Sequence, residues 1–224
     1  MPSLGRLRIR SSSIIMKFFD IHTHKHDTDW KHSISNSASY IAGRYISIGL
    51  HPWDIDSEWT KRLDDIEKAA YADNILAIGE CGFDKIKSPA RIEIQREVFL
   101  RHAIVAEKVS KPLVIHCVKG MDELIAAYRE INPGQPWIIH AFRGNSQQAV
   151  QFIRCGFHIS LGEHFNPAAA MTIPLERLFI ESDESNKEIS EIYRSIAAAR
   201  GCSVEELDRT VTSNVIRTFS KIKV

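Results

Sequence analysis

The sequence predicts an α/β fold, a TIM-type (β/α) barrel, and three observations lead there. Short apolar runs alternate with longer helical patterns along most of the 224 residues, the order expected of repeated β-then-α units. Most of the short runs are continuously apolar, as in strands buried on both faces of a parallel sheet. No G-x-G-x-x-G or G-K-[ST] follows the first strand, so an open nucleotide-binding sheet loses its main support.

Taken in order, strands are expected at "MKFFDIH" (16–22), "YISIGLH" (45–51), "ILAIGE" (75–80), "PLVIHC" (112–117), "WIIHAF" (137–142), "GFHISLG" (156–162) and "RLFIESD" (177–183). That makes about seven strands where a full barrel has eight. The stretch "KHDTDWKHSISNSASYIAGR", which contains His26 and Asp27, reads as too polar and Ser-rich for a buried strand and helix. The barrel is therefore expected to be distorted or incomplete on that side. Helices carry recognisable punctuation. Ser88 is expected as an N-cap with Pro89 in the first turn, and Gly156 as a left-handed stop. The last helix opens with the capping box Ser203-x-x-Glu206.

Residues 1–15 read as a disordered extension before one domain over 16–224, with Met16 directly ahead of the first strand. Hydrophobic residues at 44% and charged residues at 25% are ordinary for a globular chain, and a formal charge of +1 gives no general attraction to polyanions. Contacts to nucleic acid would have to be local. The four cysteines form no C-x-x-C pair, which fits reduced thiols and a cytoplasmic location. No apolar run is long enough to span a bilayer, so no membrane partner is expected. No dimerisation stripe is evident, and a monomer is the expected state.

Residues with metal-ligand chemistry recur where the apolar strands end. They are His22 and His24, then His51, Glu80 with Asp84, His116, His140, and Glu181 with Asp183. In a parallel barrel those ends open on one face, and the two-residue period of a strand points His22 and His24 the same way. Any one histidine at a strand end is ordinary; their recurrence on successive ends is the signal. Imidazole mixed with carboxylate suits Zn, Mn, Fe or Ni better than Mg alone.

The order of these motifs resembles the TatD family of metal-dependent hydrolases, within the amidohydrolase-type barrel superfamily. The matching stretches are "FFDIHTH", "IGLHPW", "AIGECGFD", "KPLVIHC", "WIIHAFRG", "FIESD" and the tail "SVEELDRTVTSNVIRTF". The resemblance implies a divalent-metal centre of two ions (Zn, Mn or Mg). His22, His24 and Asp183 would hold the first ion and His116 and His140 the second, with Glu80 bridging. Asp183 and Glu80 would be the catalytic carboxylates, Asp183 accepting a proton from the attacking water. His51 would contact substrate and Glu181 would support a ligand from behind. Asn214 and Phe219 match the family's terminal helix, where packing is the expected role.

Two departures bear on substrate. Val118-Lys119-Gly120 stands where the family carries an Arg able to clamp phosphate, leaving Lys119 as a point charge for substrate. Glu184-Ser185 replaces the usual proline after the last aspartate and adds negative charge. The resemblance implies an ester-cleaving hydrolase, first a phosphodiesterase acting on DNA as a TatD-type DNase. The alternatives are a hydrolase of a small-molecule phosphoester, lactone or amide, and a non-catalytic metal-binding scaffold.

Overall fold

Eight parallel strands hydrogen-bond in sequence order in the computed structural model, which describes residues 16–25, 29, 31–219 and 221–222. The expected extension over 1–15, and His26 and Asp27, lie outside the described residues. The strands are β1 (Asp20–Thr23), β2 (Ser33–Ser37), β3 (Ile46–Ile48), β4 (Ile75–Asp84), β5 (Leu113–Val118), β6 (Trp137–Ile139), β7 (His158–Leu161) and β8 (Leu178–Ile180). The ring closes just beyond β8. Thr23 bridges Asp183 in parallel, the Asp183 amide donates to the His22 carbonyl at 2.9 Å, and the His24 amide donates to the Asp183 carbonyl at 3.2 Å.

The strand count corrects the expected seven. The stretch that reads as too polar supplies β2, "SISNS", paired with both β1 and β3. Only Ile34 is a large apolar residue there, but the small side chains of Ser33 and Ser35 are buried beside it. By strand alternation Ile34 and Asn36 share one face and the serines the other, so a short strand with a single apolar residue still pairs on both edges. What is missing is helix rather than strand. Among the described residues no helix lies between β1 and β2 or between β2 and β3.

From β3 onward every strand is followed by a helix. They are α1 (Trp59–Ala69), α2 (Ile92–Val109), α3 (Met121–Ile131), α4 (Ser146–Arg154), α5 (Pro167–Thr172) and α6 (Ile189–Arg200), with α7 (Val204–Thr218) completing the chain of elements. The start of α2 differs from expectation. Ser88 bonds the Pro52 carbonyl at 2.6 Å instead of capping, so the helix begins at Ile92 after Arg91. In α7 the Ser203 hydroxyl accepts from the Glu206 amide at 3.1 Å, the expected cap. Gly156 has φ +103° just past the end of α4.

The helix-backed side holds an aromatic layer. Trp137, fully buried on β6, meets Phe99 of α2 edge-on with ring centres 5.1 Å apart, and Tyr128 of α3 at 5.2 Å. Such pairs add about 0.5–1.5 kcal/mol beyond the area they bury. The tail helices lock the barrel's ends. Asp208 accepts from the amides of Lys17 and Phe18, and Tyr193 donates to the Phe19 carbonyl at 2.8 Å. Asn214 donates to the carbonyls of Leu175 and Leu178 at the start of β8, and Phe219 is buried against Phe179. All four cysteines are free, and no described helix is long and apolar enough to cross a membrane.

Candidate metal centre

Glu80 sits at the centre of the barrel mouth, 3% exposed, with imidazoles from four strand ends around it. Its place on β4 depends on glycine on either side. A Cβ added at Gly79 would lie 2.3 Å from the Val114 carbonyl oxygen, and one at Gly82 would lie 2.0 Å from that of His116. Both glycines have φ near the mirror-β region, at +130° and +148°, so backbone of β5 approaches where a side chain would stand. Glu80, Gly82 and Asp84 then follow the strand period and face one side.

The two carboxylate oxygens of Glu80 face different groups. Oε2 lies 3.3 Å from His22 Nε2 and 3.9 Å from His24 Nε2, the same two nitrogens that lie 3.9 and 3.6 Å from Asp183 Oδ1. Oε1 lies 2.7 Å from His116 Nδ1, 2.6 Å from His140 Nε2 and 3.2 Å from His51 Nε2. Groups of three ligand atoms lying close enough to hold an ion include His22 with His24 and Asp183, and His22 with Glu80 and His140.

The outer partners of the rings sort the histidines. His140 Nδ1 meets Glu181 Oε1 at 3.1 Å, so a neutral ring carries its proton there and turns a lone pair inward at Nε2. His116 Nε2 meets Asp84 Oδ2 at 3.2 Å, which frees Nδ1 in the same way. His51 is the reverse. Its Nδ1 accepts from the Trp53 amide at 3.1 Å, so the neutral ring has its proton on Nε2 and presents a donor to the cavity. His51, Glu80 and His116 fall within ligand distance of one another, but this tautomer makes His51 a hydrogen-bond donor.

Whether a divalent ion fits is tested by His22. Its ring is fully buried, yet neither Nδ1 nor Nε2 has a hydrogen-bond partner. Buried polar atoms are ordinarily satisfied, and Nε2 here faces only carboxylate oxygens. A cation between these groups would supply the missing partner, and the imidazole–carboxylate donor set suits one.

The charges agree. Burial alone would raise Glu80, but the His140 charge and hydrogen bonds from His116 and His140 hold it well below the usual carboxylate range. Burial would lower His140, but Glu80 and Glu181 hold it well above the usual imidazole value. His24 is pushed down by burial and by His22. For Asp84, burial is outweighed by bonds from the Trp53 indole, the Lys87 and Ile86 amides and His116, bringing it to about 2.

All of the expected site residues reach this one mouth. Glu181 stands behind His140 and also accepts from the Ala141 amide at 2.8 Å. Lys119 is exposed and lines the same cavity of about 750 Å³ as His24, Glu80 and Asp183. Asp84, read from the sequence only as a strand-end acid beside Glu80, belongs here too, with two residues given no role there. Asn36 of β2 donates to Glu80 Oε2 at 3.3 Å and accepts from the Glu80 amide at 3.1 Å. Asp84 holds His116 and accepts from the Trp53 indole at 2.6 Å. Trp53 itself, 43% exposed, stands at the rim with Lys87 4.5 Å from its ring centre. The four-residue interval from Glu80 is the available signal for Asp84; Asn36 has none so long as its segment reads as loop. Backbone in the left-handed region gathers here as well, at Lys119 (φ +56°), Ala141 (+42°) and Asp183 (+53°). Such residues cost of order 1–3 kcal/mol each and collect at functional sites.

The family model described as TatD related DNase matches residues 9–220. An Escherichia coli K12 protein named "Uncharacterized metal-dependent hydrolase YcfH" is 26% identical over 194 residues, 77% of this chain and 72% of the relative. YabD of Bacillus subtilis, named in the same way, is 27% identical over 202 residues, 78% of this chain and 77% of that one. The crystal structure of YJJV, a TatD homologue from E. coli K12, shares the fold with a TM-score of 0.77 at 18% identity, over 92% of this chain and 98% of that one. A single family model thus runs from ahead of β1 to beyond α7, taking in every strand end that contributes to the cluster, and the chain belongs to the TatD-related DNase family of metal-dependent hydrolases.

Proposed function

We propose that this protein is a two-metal hydrolase of phosphodiester bonds, with DNA as its substrate. The observation that supports the pair of ions is the division of Glu80, one oxygen toward His22 and His24, the other toward His116 and His140. His22, His24 and Asp183 would hold one ion and His116 and His140 the other, with Glu80 available to both. The chemistry that two such ions supply is a lowered pKa for water and stabilisation of charge on the attacking and leaving oxygens.

The chain's own groups do the rest. Asp183 accepts a proton from the attacking water, its backbone fixed by the bonds that close the ring. Glu181 and Asp84 hold His140 and His116 in their tautomers. His51 donates its Nε2 proton to a substrate oxygen, and Lys119 adds positive charge at the mouth. The description of the matching family as DNases supports DNA. Val118 in place of a clamping Arg, and Glu184 beside Asp183, favour the second reading: the same machinery on a small-molecule phosphoester, lactone or amide.

The test loads purified protein with Mn or Zn, counts ions per chain, and offers bis-p-nitrophenyl phosphate, single-stranded DNA and a lactone panel. Diester and DNA cleavage that disappear in His116→Ala and Asp183→Ala are expected. Turnover confined to small esters would select the second reading. Full metal occupancy with no turnover anywhere would leave a binding scaffold.

A further inference from the structure

We infer that Arg143 is the phosphate clamp of this chain, replacing the arginine that Val118 displaces, and that with Lys119 it admits a substrate carrying a phosphate beside the scissile one. The inference rests on the phosphodiesterase reading above and names the part of the substrate that this edge of the site holds.

Arg143 stands three residues beyond His140, and Lys119 three beyond His116, at the ends of the neighbouring strands β6 and β5. Both line the cavity that contains Glu80 and Asp183, and both are exposed. Most other arginines and lysines of the helices are engaged, as Arg96 is with Glu130 and Lys108 with Glu67. Arg143 and Lys119 have no ion-pair or hydrogen-bond partner among the described residues, so two cations face an open cavity with their donors unused.

Their backbones are held while their side chains are free. Ala141 turns through the left-handed region with its amide bonded to Glu181, and the Phe142 amide bonds the Ser160 carbonyl at 3.0 Å. On the other side of Arg143, a Cβ at Gly144 would come within 2.5 Å of the Phe142 ring, and Asn145 and Gln148 close a capping box. The β5 loop is built alike. Lys119 has a left-handed backbone, and a Cβ at Gly120 would lie 2.4 Å from Phe83 Cβ. Two rigid turns on adjacent strands therefore carry one unpaired cation each.

Glu184 lines the same cavity, and Arg143 also borders a smaller one of about 310 Å³ with Glu163 and Glu184, so the clamp works beside acid on its β8 side. Glu184 extends from the loop after β8, whereas Lys119 and Arg143 extend from the loops after β5 and β6. Lys119 borders only the larger cavity, so the two unpaired cations meet on its β5–β6 arc, where a second phosphate would be held. A guanidinium offers paired N–H donors to one phosphate, which an ammonium cannot match.

The test measures fluorescence anisotropy of a labelled, cleavage-resistant phosphorothioate oligothymidylate with Mn-loaded protein. Arg143→Ala should weaken binding roughly tenfold to a hundredfold, the worth of a charge-assisted hydrogen bond. The slope of log affinity against log salt should fall by about 0.7 for each phosphate that is no longer neutralised. Arg143→Lys should recover only part of the affinity, Lys119→Ala should lose less than Arg143→Ala, and the distant control Lys61→Ala should bind as wild type. Metal content and melting temperature should not change in Arg143→Ala. Unchanged binding in Arg143→Ala, binding that disappears together with metal or melting temperature, or a wild type that does not bind the oligomer overturns the clamp. A wild type that binds through Arg143 but cleaves no diester upholds the clamp and defeats the hydrolase reading.

Discussion

From β4 to β6 the barrel rests on long helices and an aromatic layer, whereas from β1 to β3 it has short strands with no described helix between them. The two regions fix their share of the site by different means. On the helix-backed side packing holds the strands, and one carboxylate behind each ring orients His116 and His140. On the helix-free side, side chains bond backbone directly. Asp20, pushed up to about 7 chiefly by burial, accepts from the amides of His22 and Ser182, and Asn36 both donates to Glu80 and accepts from its amide. A metal site can thus be preorganised by a hydrophobic layer on one flank and by a polar lattice on the other.

Glu80 joins the two flanks, so its loss should have the largest effect. Glu80→Ala is expected to cost at least about 10³-fold in turnover, the upper end for removing one charge-stabilising group. Metal content should fall on both sides; a variant that keeps two ions would break the shared-carboxylate assignment.

Unfolding of chelated protein in denaturant tests the structural half of the comparison. Trp137→Ala should cost about 3–5 kcal/mol, and Ile34→Ala about 2 kcal/mol, the low end for its class because the helix-free side can relax. Equal losses would mean that the two flanks do not differ in packing. Asp84→Asn and Asn36→Ala then compare the supports one for one. Each should lower metal affinity by about 10–100-fold, Asp84→Asn through His116 and Asn36→Ala through Glu80. Competition with a chromogenic chelator reads both, and an affinity unmoved in either variant would remove that residue from the support.

His102 joins the flanks. From α2 it accepts from the Leu50 amide, just past β3, at 2.9 Å, and its Nδ1 meets the Val98 carbonyl at 2.8 Å. Burial lowers it from 6.5 to about 4. With the folded value depressed, the neutral ring's contribution is fully present above about pH 6.5 and is lost as pH falls toward about 4. The stability gap between chelated wild type and His102→Gln should therefore shrink by roughly 2 kcal/mol from about pH 7 to about pH 5. A gap that stays constant with pH would show that His102 does not titrate this joint.

Legibility in the sequence follows the same division. On the helix-backed side "ILAIGE", "PLVIHC" and "WIIHAF" are continuous apolar runs ending in ligand-type residues, and the structure has β4, β5 and β6 there. "SISNS" carries one large apolar residue, so hydrophobic pattern does not reveal β2, and Asn36 goes unread with it. Spacing gathers His22, His24, His116 and His140 on one face, but does not say which nitrogen each turns inward. That is set by partners distant in sequence, as with Glu181 behind His140 and Asp84 behind His116. Arg143 stands in a matching motif, yet its lack of a partner is visible only in three dimensions.

The clasp of the ring is made by the residues proposed to hold the first ion. Asp183 hydrogen-bonds the backbone of His22 and of His24, so these three groups meet only when the last strand reaches the first. In refolding, ion capture at that pole is therefore a stopwatch for the docking of the last strand on the first, whenever that occurs. A chain stalled with its ring open still carries every other strand end, but it lacks the seat that Asp183 completes.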